Sequence, residues 1–225
     1  NSDLLCNVEA HGDPYQSLRR RECRYCHPDK LKCEKFRTDL KVFWPPQNFP
    51  PLDASTPKVI MPRDDSCLLH ALCHGLAPAL PPDATAQALR DEVASIVVAM
   101  PTARMPFFPS YSIEEFVYYE KLMPPESYAS HIRCPSTWGG AIELALLAHK
   151  YNAAVYVYTF GEGWIGDGYT EGEWAYRCFR LLVPPQPALT VNLAYAGYGM
   201  YGDVMEYHYD VLEPCTPNKR PRIAA

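Results

Sequence analysis

Apolar positions in this chain follow a helical period first and a strand period later. Val59-Ile60-Met61 opens the patterned region, and Cys67 to Ala77 is apolar enough for a buried helix. In residues 84–100, Leu89, Val93, Ile96, Val97 and Met100 fall at helical spacing, and Pro101 ends that helix. Ser112 and Glu115 make a capping box before an aromatic helix over 113–122. Leu144, Leu147, Ala148 and Tyr151 mark one face of a helix over 139–151. Beyond it, Ala153–Thr159 is β-branched and aromatic, which predicts a strand. Cys178–Val183 and Leu189–Tyr195 predict two more, and a last strand is expected near 207–212. The glycine-rich stretches 161–174 and 196–206 read as a turn and a loop between strands. Helices gather early and strands late, so the expected class is α+β (α/β), with a small central sheet flanked by helices.

The first 57 residues do not share this pattern. Residues 1–40 are polar and charged, and Trp44-Pro45-Pro46, Pro50-Pro51 and Pro57 follow. Repeated proline locks φ and removes donors, which predicts an extended strap across a surface, with Phe43, Trp44 and Phe49 to bury. The expected organisation is an extension and strap over 1–57, a main domain over 58–214 and a tail over 215–225.

A chain of 225 residues suits one main domain. Its net charge of −5 argues against a general nucleic-acid binder. Its apolar runs are too short to span a bilayer, and no basic-then-apolar signal segment opens it. Nucleic acid and membrane are therefore not expected partners. Nine cysteines, an odd number, favour a reducing compartment over a disulfide framework. Cytoplasm is the expected location, and the basic tail Lys219-Arg220-Pro221-Arg222 leaves the nucleus open.

The chemistry centres on Cys67, where an apolar run meets a helix. A helix N-terminus stabilises a thiolate, but a base must still take the proton. His208 is the candidate base. Asp210 lies two residues on, so in a strand it shares the histidine's face and is placed to orient the imidazole. His70 and His74 are rivals that helical spacing points along the helix rather than across the thiol. A different chemistry is suggested by Cys23-x-x-Cys26-His27, with Cys33 after it and Cys6 before. The first pair has zinc-ligand spacing, the second is irregular, and the fourth ligand would be Cys6 or His27. A structural zinc on Cys23, Cys26 and Cys33 and a set of solvated thiols both stay open.

Asp64-x-x-Cys67, then Thr137-Trp138-Gly139-Gly140-Ala141-Ile142-Glu143, then His208-Tyr209-Asp210 resembles the ovarian tumour (OTU) family of cysteine deubiquitinases. The likeness covers residues 58–214. It is nearest the branch whose full-length members add a ubiquitin-like domain before the fold and a zinc finger after it. Residues 1–57 do not resemble that ubiquitin-like domain. The resemblance implies cleavage of isopeptide bonds after the C-terminal glycine of ubiquitin. Cys67 would be the nucleophile, His208 the base and Asp210 its orienter, with Asp64 also in the active site. Ubiquitin and polyubiquitin chains are the implied partners, and catalysis would need no cofactor. Arg63, Asp65, Trp138, Gly139 and Tyr207 would meet the substrate, Tyr207 in the channel for the Gly-Gly terminus. Asp65 departs from the family, which usually has an uncharged residue there. A second carboxylate beside a developing oxyanion is unhelpful unless it faces solvent or pairs with Arg63. Glu143 reads as a first-turn helix residue rather than a catalyst. Two alternatives remain. One is an inactive ubiquitin-binding module. The other is a cysteine protease of the same fold acting on another ubiquitin-like modifier or a polyprotein.

Overall fold

β-branched, aromatic and other apolar residues gather in strands late in the described chain, and with one short early strand they build a five-stranded mixed sheet. The computed structural model describes residues 51–161, 164–165, 168–169, 175–196 and 208–213, together with Phe36, a buried helical residue. The chain divides into two compact units, Asn1–Val42 and Phe43–Ala225.

In the second unit the elements run β1 (Lys58–Val59), α1 (Cys67–Gly75), α2 (Ala86–Ala99), β2 (Arg104–Met105), β3 (Phe108–Ser112), α3 (Ile113–Lys121), α4 (Pro125–Arg133) and α5 (Ala141–Lys150). Then follow β4 (Ala153–Gly161), β5 (Trp164–Ile165), β6 (Gly168–Tyr169), β7 (Ala175–Leu182), β8 (Leu189–Ala196) and β9 (His208–Leu212). The main sheet has the order β1-β9-β8-β4-β7. β4 and β8 are parallel, and the other neighbours are antiparallel. Helices pack on this sheet, α1 against β8 and β9, and α5 against β4 and β7. The fold is α+β.

α1 is apolar on most sides, and Cys67, Leu68, Leu69, Ala71 and Leu72 are all buried. Its end comes so close to β8 that a Cβ on Gly75 would overlap Val191. α3 begins with the expected box: Glu115 N–H donates to Ser112 Oγ at 3.2 Å, and Ser112 N–H donates to Glu115 Oε2 at 2.8 Å. A separate cluster of Tyr158, Cys178, Ala194 and Leu212 gathers Leu52, Tyr156 and Phe160 around it. Leu52 belongs to the proline-rich segment, which thus has an apolar anchor on the sheet.

Two elements had no counterpart in the sequence pattern. α4 is capped by Pro124 and starts on Pro125, a pair that reads as a break, yet proline fits the first turn of a helix because the missing N–H is unpaired there anyway. The β2–β3 hairpin turns at Phe107, whose φ of 64° is left-handed. A phenylalanine carries no sequence signal for that conformation. The stretch expected as a turn over 161–174 contains the short β5–β6 ladder.

Gly75→Ala tests the α1–β8 approach. Overpacking against a buried β-branched side chain costs about 1–3 kcal/mol. The expected result is a lower denaturation midpoint with an unchanged slope. A midpoint equal to wild type would mean that α1 can shift away from Val191 at no cost.

Candidate active site

α1 places Cys67 at its first turn, and the residue before it is used in an unusual way. Serine at an N-cap normally accepts from the helix's own N–H groups. Ser66 makes no such cap. Its hydroxyl instead donates to Pro135 O at 3.2 Å and accepts from Arg90 Nη2 at 2.9 Å. The start of α1 is therefore held from outside, by residues of α2 and of the 134–138 loop.

Arg90 organises this region. It is fully buried on α2 and donates to five oxygens. Nη1 reaches Ile132 O at 2.9 Å, while Nη2 reaches Asp65 O at 3.1 Å, Ser66 Oγ, Pro135 O at 3.1 Å and Thr137 O at 2.7 Å. Burial pulls its affinity for the proton down, and Glu143 works against that. The sequence reading missed Arg90. The available signal was position: Ala86, Arg90, Val93 and Val97 form one helical stripe, and a charge in such a stripe must find partners indoors.

The second half of the site lies on β9. His208 and Asp210, at 8% and 5% exposure, share a strand face. His208 Nε2–H donates to Asp210 Oδ1 at 2.9 Å. A carboxylate only accepts, so Nε2 carries a proton and Nδ1 is the ring nitrogen left for a thiol. Met61 N–H also donates to Oδ1, at 2.9 Å, and Lys58 Nζ lies 3.2 Å from Oδ2. β1 covers only Val211 and Leu212 on that edge of β9, which leaves the edge open at Tyr209. The Tyr209 N–H donates to the Cys67 sulfur there. The thiol is thereby tied to the residue that stands between His208 and Asp210.

Burial pushes the Cys67 thiol up, against the expectation that the helix start would favour the thiolate. The N–H groups of Tyr209 and Leu68 pull it down, and the charges of Asp64 and Asp210 oppose them. Loss of water outweighs two hydrogen bonds. The thiolate thus depends on the base.

Asp64 shapes the turn before the nucleophile. Its Oδ1 accepts from Ser66 N–H at 2.8 Å, its carbonyl accepts from Cys67 N–H at 3.2 Å, and His70 donates to its Oδ2 at 3.1 Å. Two amides of the nucleophile's turn are thus engaged at rest. The bond to Cys67 N–H is long and weak enough to exchange for an oxyanion.

Asp65 is half-buried and accepts from Trp138 Nε1. The extra carboxylate therefore latches the 134–138 loop to the nucleophile's turn. Trp138 stays 39% exposed. A Cβ on Gly139 would sit 3.0 Å from Leu68 Cδ2, so glycine permits the loop to lie against α1. Glu143 is buried at the start of α5 and accepts from Gly140 N–H at 2.5 Å and from Tyr128 OH. Arg63 is exposed on the same turn. Tyr207 and the zinc candidates Cys23, Cys26 and Cys33 lie outside the described residues. Among the described residues, no three metal-ligating side chains cluster.

A family model described as "OTU-like cysteine protease" matches residues 62–177, just over half of the chain. The chain belongs to the OTU-like cysteine protease family. The match includes Cys67 and ends before β9, so His208 and Asp210 of this OTU domain are placed by the fold itself. A search of curated proteins found no match. Among solved structures, the chain is similar to an OTU domain in complex with ubiquitin, at 20% identity and TM-score 0.43, covering 69% of this chain and 67% of that one. It is similar to the Hazara virus OTU bound to ubiquitin, at 15% identity and TM-score 0.48, covering 76% and 93%. It is also similar to an OTU deubiquitinase from Wolbachia pipientis wMel bound to ubiquitin, at 14% identity and TM-score 0.43, covering 70% and 94%.

Cys134 supplies an internal reference for the site. It is exposed on the neighbouring loop, and the Ser136 hydroxyl, 3.0 Å away, holds its thiol below the usual range. With iodoacetamide at neutral pH, Cys134 should react well before Cys178, whose thiol burial pushes up to about 11. His208→Ala should slow alkylation of Cys67 by about tenfold or more and leave Cys134 unchanged. Peptide mapping reads both. Equal slowing at both cysteines would point to a global change instead of a lost base.

Proposed function

We propose that this OTU domain is a thiol-dependent deubiquitinase, cleaving the isopeptide bond after the C-terminal glycine of ubiquitin, including in polyubiquitin chains. The observation that carries this reading is the convergence of two distant segments: the thiol of Cys67 accepts from Tyr209 N–H, directly beside the His208–Asp210 pair. His208 takes the proton from Cys67, and the thiolate attacks the glycine carbonyl. Cys67 N–H leaves Asp64 O and donates to the oxyanion. His208 then protonates the departing lysine amine, and water resolves the thioester. Trp138, latched by Asp65, supplies an apolar surface beside the cleft for the tail of the substrate, with Arg63 and Tyr207 as further contacts. Within the family, our reading of the three motifs favours the branch with a ubiquitin-like domain and a zinc finger.

Ubiquitin bearing a C-terminal electrophile tests the proposal. A covalent adduct at Cys67, absent in Cys67→Ala, is the expected result. Binding without an adduct would indicate an inactive module, and no binding would indicate another substrate. On a fluorogenic ubiquitin substrate, His208→Ala should lose about a hundredfold or more, and Asp210→Ala less, because it orients instead of reacting.

Trp138→Ala and Asp65→Ala address substrate positioning. Each should raise KM by roughly threefold to tenfold with little change in kcat, since uniform binding is what they remove. The double variant should be no worse than either alone. Strictly multiplicative losses would show that the two side chains act separately.

A further inference from the structure

We propose that Lys58 is a positioning residue of this site: its ammonium holds Oδ2 of Asp210 and offsets part of that carboxylate's charge, so Asp210 can align His208 while opposing the Cys67 thiolate less. This rests on the site described above and not on the identity of the substrate.

Asp210 is nearly out of water, and a buried carboxylate needs partners on both oxygens. Oδ1 is occupied by His208 and Met61, and Lys58 takes Oδ2. Two of these three partners come from β1 and the residues just after it. β1 spans only Lys58–Val59, a short strand at the sheet edge, and it docks on β9 at Val211 and Leu212, immediately after Asp210. That register brings the Lys58 ammonium to the side of the carboxylate that faces away from the histidine bond. The lysine side chain is 28% exposed, so its head is partly screened by protein and partly by solvent.

The electrostatic case follows from who faces whom. Among the described residues, Asp210 is faced by Lys58 from β1, His208 on its own strand and Cys67 on α1. Asp64, paired with His70, also acts on the thiol, and β8 brings Tyr195 against the Tyr209 ring. Asp210 thus has two effects. It holds His208 Nε2, and its charge disfavours a thiolate. A lysine on the far oxygen weakens the second effect while leaving the hydrogen bond to Nε2 in place.

The sign of the test is fixed by this arrangement. Removing a positive charge raises the pH at which neighbouring groups release a proton. Alkylation of Cys67 by iodoacetamide is measured across pH by peptide mapping in wild type, Lys58→Met, Lys58→Gln and Lys58→Arg, with Cys134 as reference. In the two neutral variants the Cys67 midpoint should move up by roughly half a unit to one unit, and in Lys58→Arg it should stay at the wild-type value. Cys134 should not move in any variant. A purely structural lysine would change the amplitude or the rate but not the midpoint. A wild-type midpoint in both neutral variants overturns the proposal, and so does an arginine variant that shifts as far as methionine. Because the assay needs no ubiquitin, it separates this inference from the deubiquitinase reading. A ubiquitin substrate that fails to turn over would sink that reading and leave the lysine result standing.

Discussion

A single buried guanidinium holds the two sides of the cleft together. Arg90 bridges the turn that presents Cys67 and the loop that presents Trp138, through Asp65 O and Ser66 Oγ on one side and Pro135 O and Thr137 O on the other. These acceptors are mostly backbone carbonyls, so the clamp fixes main chain rather than side chains. A charge removed from water is costly, and several short bonds with a fixed fork geometry are what make it tolerable. Lysine has the charge without the fork and could not span both sides in this way. The Asp65–Trp138 and Ser66–Pro135 contacts lie on top of this clamp and depend on it.

The nucleophile shows the opposite strategy. Cys67 is packed among apolar side chains, and burial raises the cost of its charged form. Its neighbours on the sequence do little to reverse that. Relief arrives from β9, through a backbone N–H and an imidazole oriented by Asp210. A thiol that is inert until a base is aligned is protected from stray oxidation and alkylation, since both need the thiolate. The exposed Cys134, with its serine neighbour, has no such protection.

How legible this was in the sequence depends on how local each feature is. The α+β class could be read because its helices and strands differ in period, and the box at Ser112 and Glu115 is a short-range signal that the structure contains. Cys67, His208 and Asp210 could be nominated because each stands in a short motif, and two of them are spaced to share a strand face. Asp65 was noticed as an oddity, but its indole partner lies 73 positions away and no local pattern points to it. Lys58 was invisible for the same reason. An isolated lysine reads as solvated, and only the fold decides whether its head meets water or a carboxylate. Arg90 did show by its place in the apolar stripe of α2, but its partners did not. α4 was lost to its prolines, and the hairpin at Phe107 to a backbone conformation that its side chain does not announce.

The bond from Met61 N–H to Asp210 joins positions 149 residues apart. It sets an order of events during synthesis. The helix that carries the thiol is complete early, whereas the base and its orienter sit on the last described strand, and β1 must wait for that strand to pair. Contacts of such long sequence separation form late in folding. Until β9 has been made and has paired, Cys67 stands without its base, and the site comes into being only when that strand joins the sheet. The thiol and its base are thus brought together by sheet pairing and not by neighbourhood in the sequence.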